Sequence, residues 1–428
     1  MVVSTLLLVH CTTKEDTSYT SIRDFGAKGD SITLDTKAIQ DALDHASATG
    51  GTVYIPTGTY RVGTLLWKEN VSIHFETGAM LVGSTSLEDY TTEKKPLIIA
   101  ERLDNVSMTG KGIIDGNGGV FWDENFKALE RPEPWIILKK CRNVTLRDVK
   151  FQNSPSHTIR LENSEDVKFD GISIINPFKG PNTDGIDIVD SKNVLIANSL
   201  ISTGDDAICL KSQRDTVENV VVTNCILESD DAAIKFGTGS KIATRFCSFT
   251  NTVIRRTRYG ISLFMLDGGV FEHNNFSDLV IENASRHKYQ YPIFIDIDKR
   301  VPDREYGIVR DNSFSNLKIV TDGKILISGH PESHIRDLSF NNITMHIKNE
   351  ADFTDANKPR GNKNYPKLET SVDLSSQPAH FVLGYAQGVL LEDIRVFSDV
   401  SSERRDLFIQ EVDQLDKNNF KHTSQSWK

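Results

Sequence analysis

The sequence predicts an all-β fold: a single-stranded right-handed parallel β-helix, a solenoid closed at its N-terminal end by a short capping helix. Two repeats in step with each other and one amphipathic segment predict it. Between about residues 100 and 345 the chain keeps returning to short β-branched strands with Asn-rich turns. Examples are Asp104-Asn105-Val106, Arg142-Asn143-Val144, Glu165-Asp166-Val167, Lys192-Asn193-Val194 and Glu218-Asn219-Val220, spaced 38, 23, 27 and 26 residues apart. All but the first gap suit one turn of a β-solenoid, and the first gap is read as carrying an insertion.

A second strand repeats with the same step. It is centred on Ile159, Ile186, Ile208, Ile234 and Ile261, at offsets of 27, 22, 26 and 27 residues. Alternate side chains point into and out of the solenoid, and stacked strands lie roughly 4.8 Å apart, so residues distant in sequence become neighbours in a column. At the N-terminal end, Asp35 to Leu43 carries helical periodicity with an N-cap, and Gly50-Gly51 stops it before the strand Thr52-Val53-Tyr54-Ile55. A helix there covers the open edge of the first coil. Beyond residue 345 the repeat weakens, and residues 349–377 read as a long surface loop before strands resume at His380.

The chain has 428 residues, 38% hydrophobic and 25% charged, which is enough to bury a sizeable core. Its net charge of -10 excludes a nucleic-acid partner, whose phosphates need a basic face, but leaves room for an anionic sugar held by local cations. Residues 1–19 read as the remnant of an export signal with a linker, and 20–428 as one β-helix domain. The apolar run before Cys11 is too short to span a membrane and resembles a lipoprotein processing site, with Cys11 as the lipidated residue. A monomer at the periplasm or surface of a bacterium is expected. Cys141, Cys209, Cys225 and Cys247 are too scattered for a disulfide framework or a zinc site, and His273, His287, His330 and His334 show no metal spacing.

Stacking the coils gathers carboxylates. Asp184 lies in one coil, Asp205 and Asp206 in the next, and Asp230 and Asp231 one later. Crowded carboxylates cannot all ionise freely, and a neutral acid beside an ionised base is what glycoside hydrolysis needs. Asn182-Thr183-Asp184-Gly185 alone would pass for a turn; the in-register doublet Asp205-Asp206 is what turn chemistry does not explain.

Asn182-Thr183-Asp184-Gly185 followed by Gly204-Asp205-Asp206-Ala207-Ile208 resembles the signature of the polygalacturonase family, glycoside hydrolase family 28. Asp24-Phe25-Gly26-Ala27 and Tyr54-Ile55-Pro56-Thr57-Gly58 resemble its N-terminal segment, and the likeness runs from about residue 20 to 410. The resemblance implies inverting hydrolysis of an acidic, pectin-like polysaccharide or oligosaccharide without a metal or other cofactor. It makes Asp205 the general acid, with Asp184 and Asp206 holding and deprotonating the water. Inverting enzymes place acid and base about 6.5–9.5 Å apart, which adjacent coils are expected to provide. Two departures stand out: Asp230 falls where the family carries the histidine of Gly-His-Gly, and Ser262-Leu263-Phe264 replaces its Arg-Ile-Lys.

Lys235, Lys211 and Arg160 share the outward parity of the cleft strand and either contact a uronate or neutralise the aspartates. Asn182, Asp230 and Asp231 border the same patch. His157 sits one coil before Asp184, and Arg258 and Tyr259 one coil beyond Asp230, so each is placed to line a subsite. Two other functions fit the fold: a calcium-assisted polysaccharide lyase, and a non-catalytic carbohydrate-binding β-helix.

Overall fold

The computed structural model describes residues 19–424 apart from 350, 355, 357–367 and 400–403. Cys11 and the rest of the expected export segment lie outside the described residues. The chain winds as a parallel β-helix: each strand pairs with the corresponding strand one coil earlier and one coil later. The right-handed sense is the one that parallel crossovers take.

Three columns of strands form the faces. One runs through Gly51–Ile55, Val71–Phe75, Asp104–Gly110 and Arg142–Arg147, and a second through Gly58–Val62, Ala79–Gly83, Ile113–Asp115 and Lys150–Gln152. The third, which becomes the cleft face, runs through Ile98–Glu101, Ile136–Lys139, Ile159–Glu162, Ile186–Val189, Ile208–Lys211, Ala232–Phe236, Tyr259–Met265 and Tyr291–Ile297. Regular coils therefore start near residue 51, earlier than the repeat was legible.

The predicted isoleucine column is real: Ile136, Ile159, Ile186, Ile208, Ile234, Ile261 and Ile293 lie in register, each 1% exposed or less. Elsewhere in the core Phe249, Phe276, Phe314 and Phe340 stack at centroid separations of 5.2, 4.9 and 4.8 Å. The recurrent Asn has a backbone cause. Asn105, Asn143, Asn193 and Asn219 all adopt left-handed φ between 54° and 58°, where Asn is far better tolerated than a β-branched residue. Their amides also bond coil to coil, Asn143 to Asn105 at 2.7 Å and Asn219 to Asn193 at 2.9 Å.

The helix α1 (Thr36–Thr49) buries Ile39, Ala42, Leu43 and Ala46 against the first coil and ends at Gly50. Asp35 stands at its N-cap position, but its carboxylate is used elsewhere, accepting from the N–H groups of Lys28 and Gly29 at 2.7 and 3.0 Å. All four later cysteines are buried and free, and burial pushes the Cys225 and Cys247 thiols up to about 11 and 12. Strands continue after residue 345, in Ala379–Ser398 and Arg405–Asn418, so the solenoid runs on where the repeat fades. The described parts of 349–377 are no free surface loop, since Phe353, Ala356 and Leu374 are buried.

Replacing Asn193, whose φ is 54°, with Val should cost about 1–2 kcal/mol in denaturant unfolding, while Asn193→Gly should cost less. Equal losses would remove the left-handed conformation as the reason for Asn.

Candidate active site

The site is built where the chain enters the cleft strands. The N–H of Thr158 donates to Asp184 O and that of Gly185 to Asp206 O, both at 2.8 Å, so His157, Asp184 and Asp206 stack in successive coils. Three residues further along, Arg160, Asp187, Cys209 and Lys235 form a parallel outward column. Glycine is required at one point: a Cβ on Gly185 would lie 2.4 Å from Ala207 O, too close for any other residue beside Asp184.

At least one carboxylate oxygen from each of Asp184, Asp205 and Asp206 lies within 4.8 Å of the others. Asp184 and Asp206 are 4% and 3% exposed, and Asp205 is half-buried above them. Lys235 Nζ donates to Asp206 Oδ2 at 2.7 Å and lies 3.9 Å from Asp231. Lys211 Nζ donates to Asp187 Oδ1 at 2.8 Å and lies 4.0 Å from Asp184. His157 sits between Asp184 and Asp187, at 3.7 and 3.5 Å. Asn182, exposed and left-handed at φ 52°, donates from its amide to Asp205 Oδ2 at 3.3 Å. Asp184 Oδ1 and Asp206 Oδ1 accept no hydrogen bond from the described residues, and such buried acceptors are ordinarily satisfied by water.

Burial raises Asp184 and Asp206 well above the ordinary carboxylate range, and the negative charge of Asp205 adds to both shifts; Lys235 opposes the shift at Asp206. Asp205 is raised by burial too, against the pull of Lys235. Asp187 goes the other way: burial would raise it, but Lys211, His157 and Arg160 together hold it down at about 2. Burial lowers His157, keeping the imidazole neutral at neutral pH. The trio thus titrates as one cluster that keeps a proton, beside a permanently ionised Asp187.

A family profile for glycosyl hydrolases family 28 matches residues 47–266, just over half of the chain and the part that carries all of these aspartates. The chain belongs to that family. This family-28 chain is similar to a probable polygalacturonase of Vitis vinifera, 30% identical over 46% of this chain and 44% of that one. It is also similar to an exo-poly-alpha-D-galacturonosidase of Dickeya chrysanthemi, 27% identical over 44% and 41%. The match thus spans less than half the length of either relative. The crystal structure of an exopolygalacturonase from Thermotoga maritima shares the fold with a TM-score of 0.67 at 24% identity, over 77% of this chain and 87% of that one.

Several expectations need correction. The nearest oxygens of Asp184, Asp205 and Asp206 lie within 4.8 Å of one another, nearer than the 6.5–9.5 Å expected between acid and base, because Asp184 stacks on Asp206 one coil away and Asp205 is the chain neighbour of Asp206. Asp230 does not face Asp205. The register, with Thr203 opposite Ser229 and Ile208 opposite Ile234, sets Asp231 there. Asp230 is instead clamped by Arg286 with bonds of 2.9, 2.9 and 2.5 Å and approached by His287 at 3.5 Å. Tyr259 offers no platform for a sugar, since its ring is 1% exposed and packed against Phe264, Tyr291 and Phe294. Arg258 is turned to Asp231 at 3.4 Å, whereas Arg160, beside Glu162 at 2.5 Å and Asp187 at 3.6 Å, takes the neutralising place that was one of its two readings.

Three site residues escaped the sequence reading. Asp187 shares the outward parity of Lys235, and parity could have found it. Arg131 binds Pro155 O and Asn182 Oδ1, both at 3.0 Å, and Arg286 grips Asp230; both arginines come from insertions outside the repeat, where no periodic signal exists.

Asp184 predicts a pH signature. Its carboxyl is raised on folding, so above about pH 4 the unfolded chain releases a proton that the folded cluster keeps, and stability falls as pH rises through that window. Asp184→Asn should therefore gain melting temperature over wild type by more at pH 8 than at pH 4. The reverse order in thermal melts would mean that Asp184 is ionised and stabilising.

Proposed function

We propose that this protein hydrolyses an α-glycosidic bond in an acidic, pectin-like polysaccharide or oligosaccharide with inversion at the anomeric carbon. The observation that carries this reading is the pair of orphaned oxygens, Asp184 Oδ1 and Asp206 Oδ1, recessed below the more open Asp205. Asp184 and Asp206 each bring a carboxylate oxygen within 4.8 Å of the other, close enough for one water to bond both residues with O–H···O bonds of about 2.7 Å.

Asp205, which burial helps to keep protonated, gives its proton to the glycosidic oxygen as the bond from that oxygen to the anomeric carbon breaks. The water held by Asp184 and Asp206 adds to the carbon and loses its proton to Asp206, whose carboxylate form is supported by the Lys235 ammonium at 2.7 Å. Solvent then restores Asp205. The recessed position of Asp184 and Asp206 supports water, rather than a carboxylate, as the group that reaches the carbon. Asn182, tied to Arg131, orients Asp205.

The cations favour an anionic sugar chiefly by cancelling the aspartates. Lys235, Lys211, Arg160 and Arg258 each face a carboxylate, so a uronate approaching the cluster meets a field already balanced. Calcium takes six to eight oxygens in most sites, and the ammonium of Lys235 already bonds Asp206 Oδ2 at 2.7 Å, which disfavours a second cation on that carboxylate.

Asp205→Asn should lower turnover on galacturonan or rhamnogalacturonan oligosaccharides by about 10²–10⁴-fold without lowering the melting temperature. The wild-type product should lack the absorbance of an unsaturated sugar, form equally fast with a calcium chelator, and appear first as the inverted anomer by proton NMR. An unsaturated, chelator-sensitive product would make this a lyase, and a retained anomer would end the water-addition scheme.

A further inference from the structure

The cleft face is open on one side of the aspartates and shut on the other. Towards the N-terminus its outward side chains, including Ile99, Ile137, Lys139 and Glu162, are half-buried. Beyond the aspartates the equivalent positions Ser262, Phe294, Leu326 and Val382 are each fully buried at 0% exposure. They are covered from outside the solenoid. Phe353 and Leu374, each 3% exposed, join Phe294, Leu326 and Val382 in an apolar cluster separate from the main core.

This cover is fastened. Lys324 Nζ donates to Ser375 O at 2.5 Å and Gln377 O at 2.7 Å and lies 4.2 Å from the centre of the Phe353 ring. Arg404 lies 4.9 Å from the same ring and donates to Gly323 O at 2.8 Å and to Ala351 O. Tyr289 packs on Phe353 at 5.2 Å, and its segment is tied to the coil of Asp230 by the Arg286–Asp230 pair. Tyr259, the first aromatic of the cluster, lies two coils past Asp206, roughly 10 Å at about 4.8 Å per coil.

We propose that Phe353 and Leu374 plug the cleft, so that the protein, on the hydrolase reading above, works only at a chain end. A glycan lies along the N-terminal coils with its terminal units between the aspartates and the plug. No polymer passes through. The outward aromatic residues of the later coils would be a costly exposure without the cover, which explains why the face changes from charged to apolar at this point.

The test is the product pattern from an α-1,4-linked galacturonate heptamer carrying a label at one end, sampled at low conversion. Wild type should release only the shortest products and leave a heptamer shortened by that unit. Phe353→Ala/Leu374→Ala, with its fold checked by circular dichroism, should add mid-chain products at least about tenfold above wild type. Mid-chain cleavage by wild type overturns the blind cleft while leaving the hydrolase reading intact, and decides the matter even where the double variant does not fold. A folded double variant that still cuts only at the end removes the plug as the cause. Wild type no faster than Asp205→Asn on galacturonan and rhamnogalacturonan alike would sink the hydrolase reading, and the blind cleft with it.

Discussion

The register between coils is the constraint on which the site depends. Parallel strands stack at about 4.8 Å, and a buried isoleucine from each coil fixes which residue faces which. A slip of one residue would turn every side chain to the opposite face, bringing the aspartates into the core and the isoleucines into water. The left-handed Asn residues and their amide ladder reinforce the same alignment from another face. The catalytic geometry is therefore held by hydrophobic packing that never touches substrate.

That geometry concentrates charge at a cost. Asp184, Asp187 and Asp206 are nearly sealed from water, with two lysines and a histidine among them. The cluster divides into two parts with different electrostatics. Asp187 and Lys211 form a closed ion pair that stays charged, whereas Asp184, Asp205 and Asp206 repel one another and retain a proton. Buried like charges of this kind are hard to account for by stability alone. The partition of one patch into a permanently charged pair and a proton-holding trio is what acid chemistry near neutral pH requires.

The segments outside the repeat shape what the floor receives. Arg131 steadies Asn182 from one insertion, Arg286 holds Asp230 from another, and Phe353 and Leu374 cover the later coils. A β-helix alone hosts many chemistries, so the fold identifies a scaffold and these side chains decide its use.

The sequence by itself determined the solenoid, its coil length, the inward isoleucines and the stacking of Asp184 with the Asp205-Asp206 doublet, because each recurs with the period of the coil. Even Asp187 was within reach of strand parity. Tertiary structure decided the rest: the carboxylate spacing set by strand stacking, the pairing of Asp231 with Asp205, the withdrawal of Asp230 by Arg286 and the burial of Tyr259. Those depend on partners brought from insertions tens of residues away, and an aperiodic segment leaves no trace in a repeat of where its side chains will land.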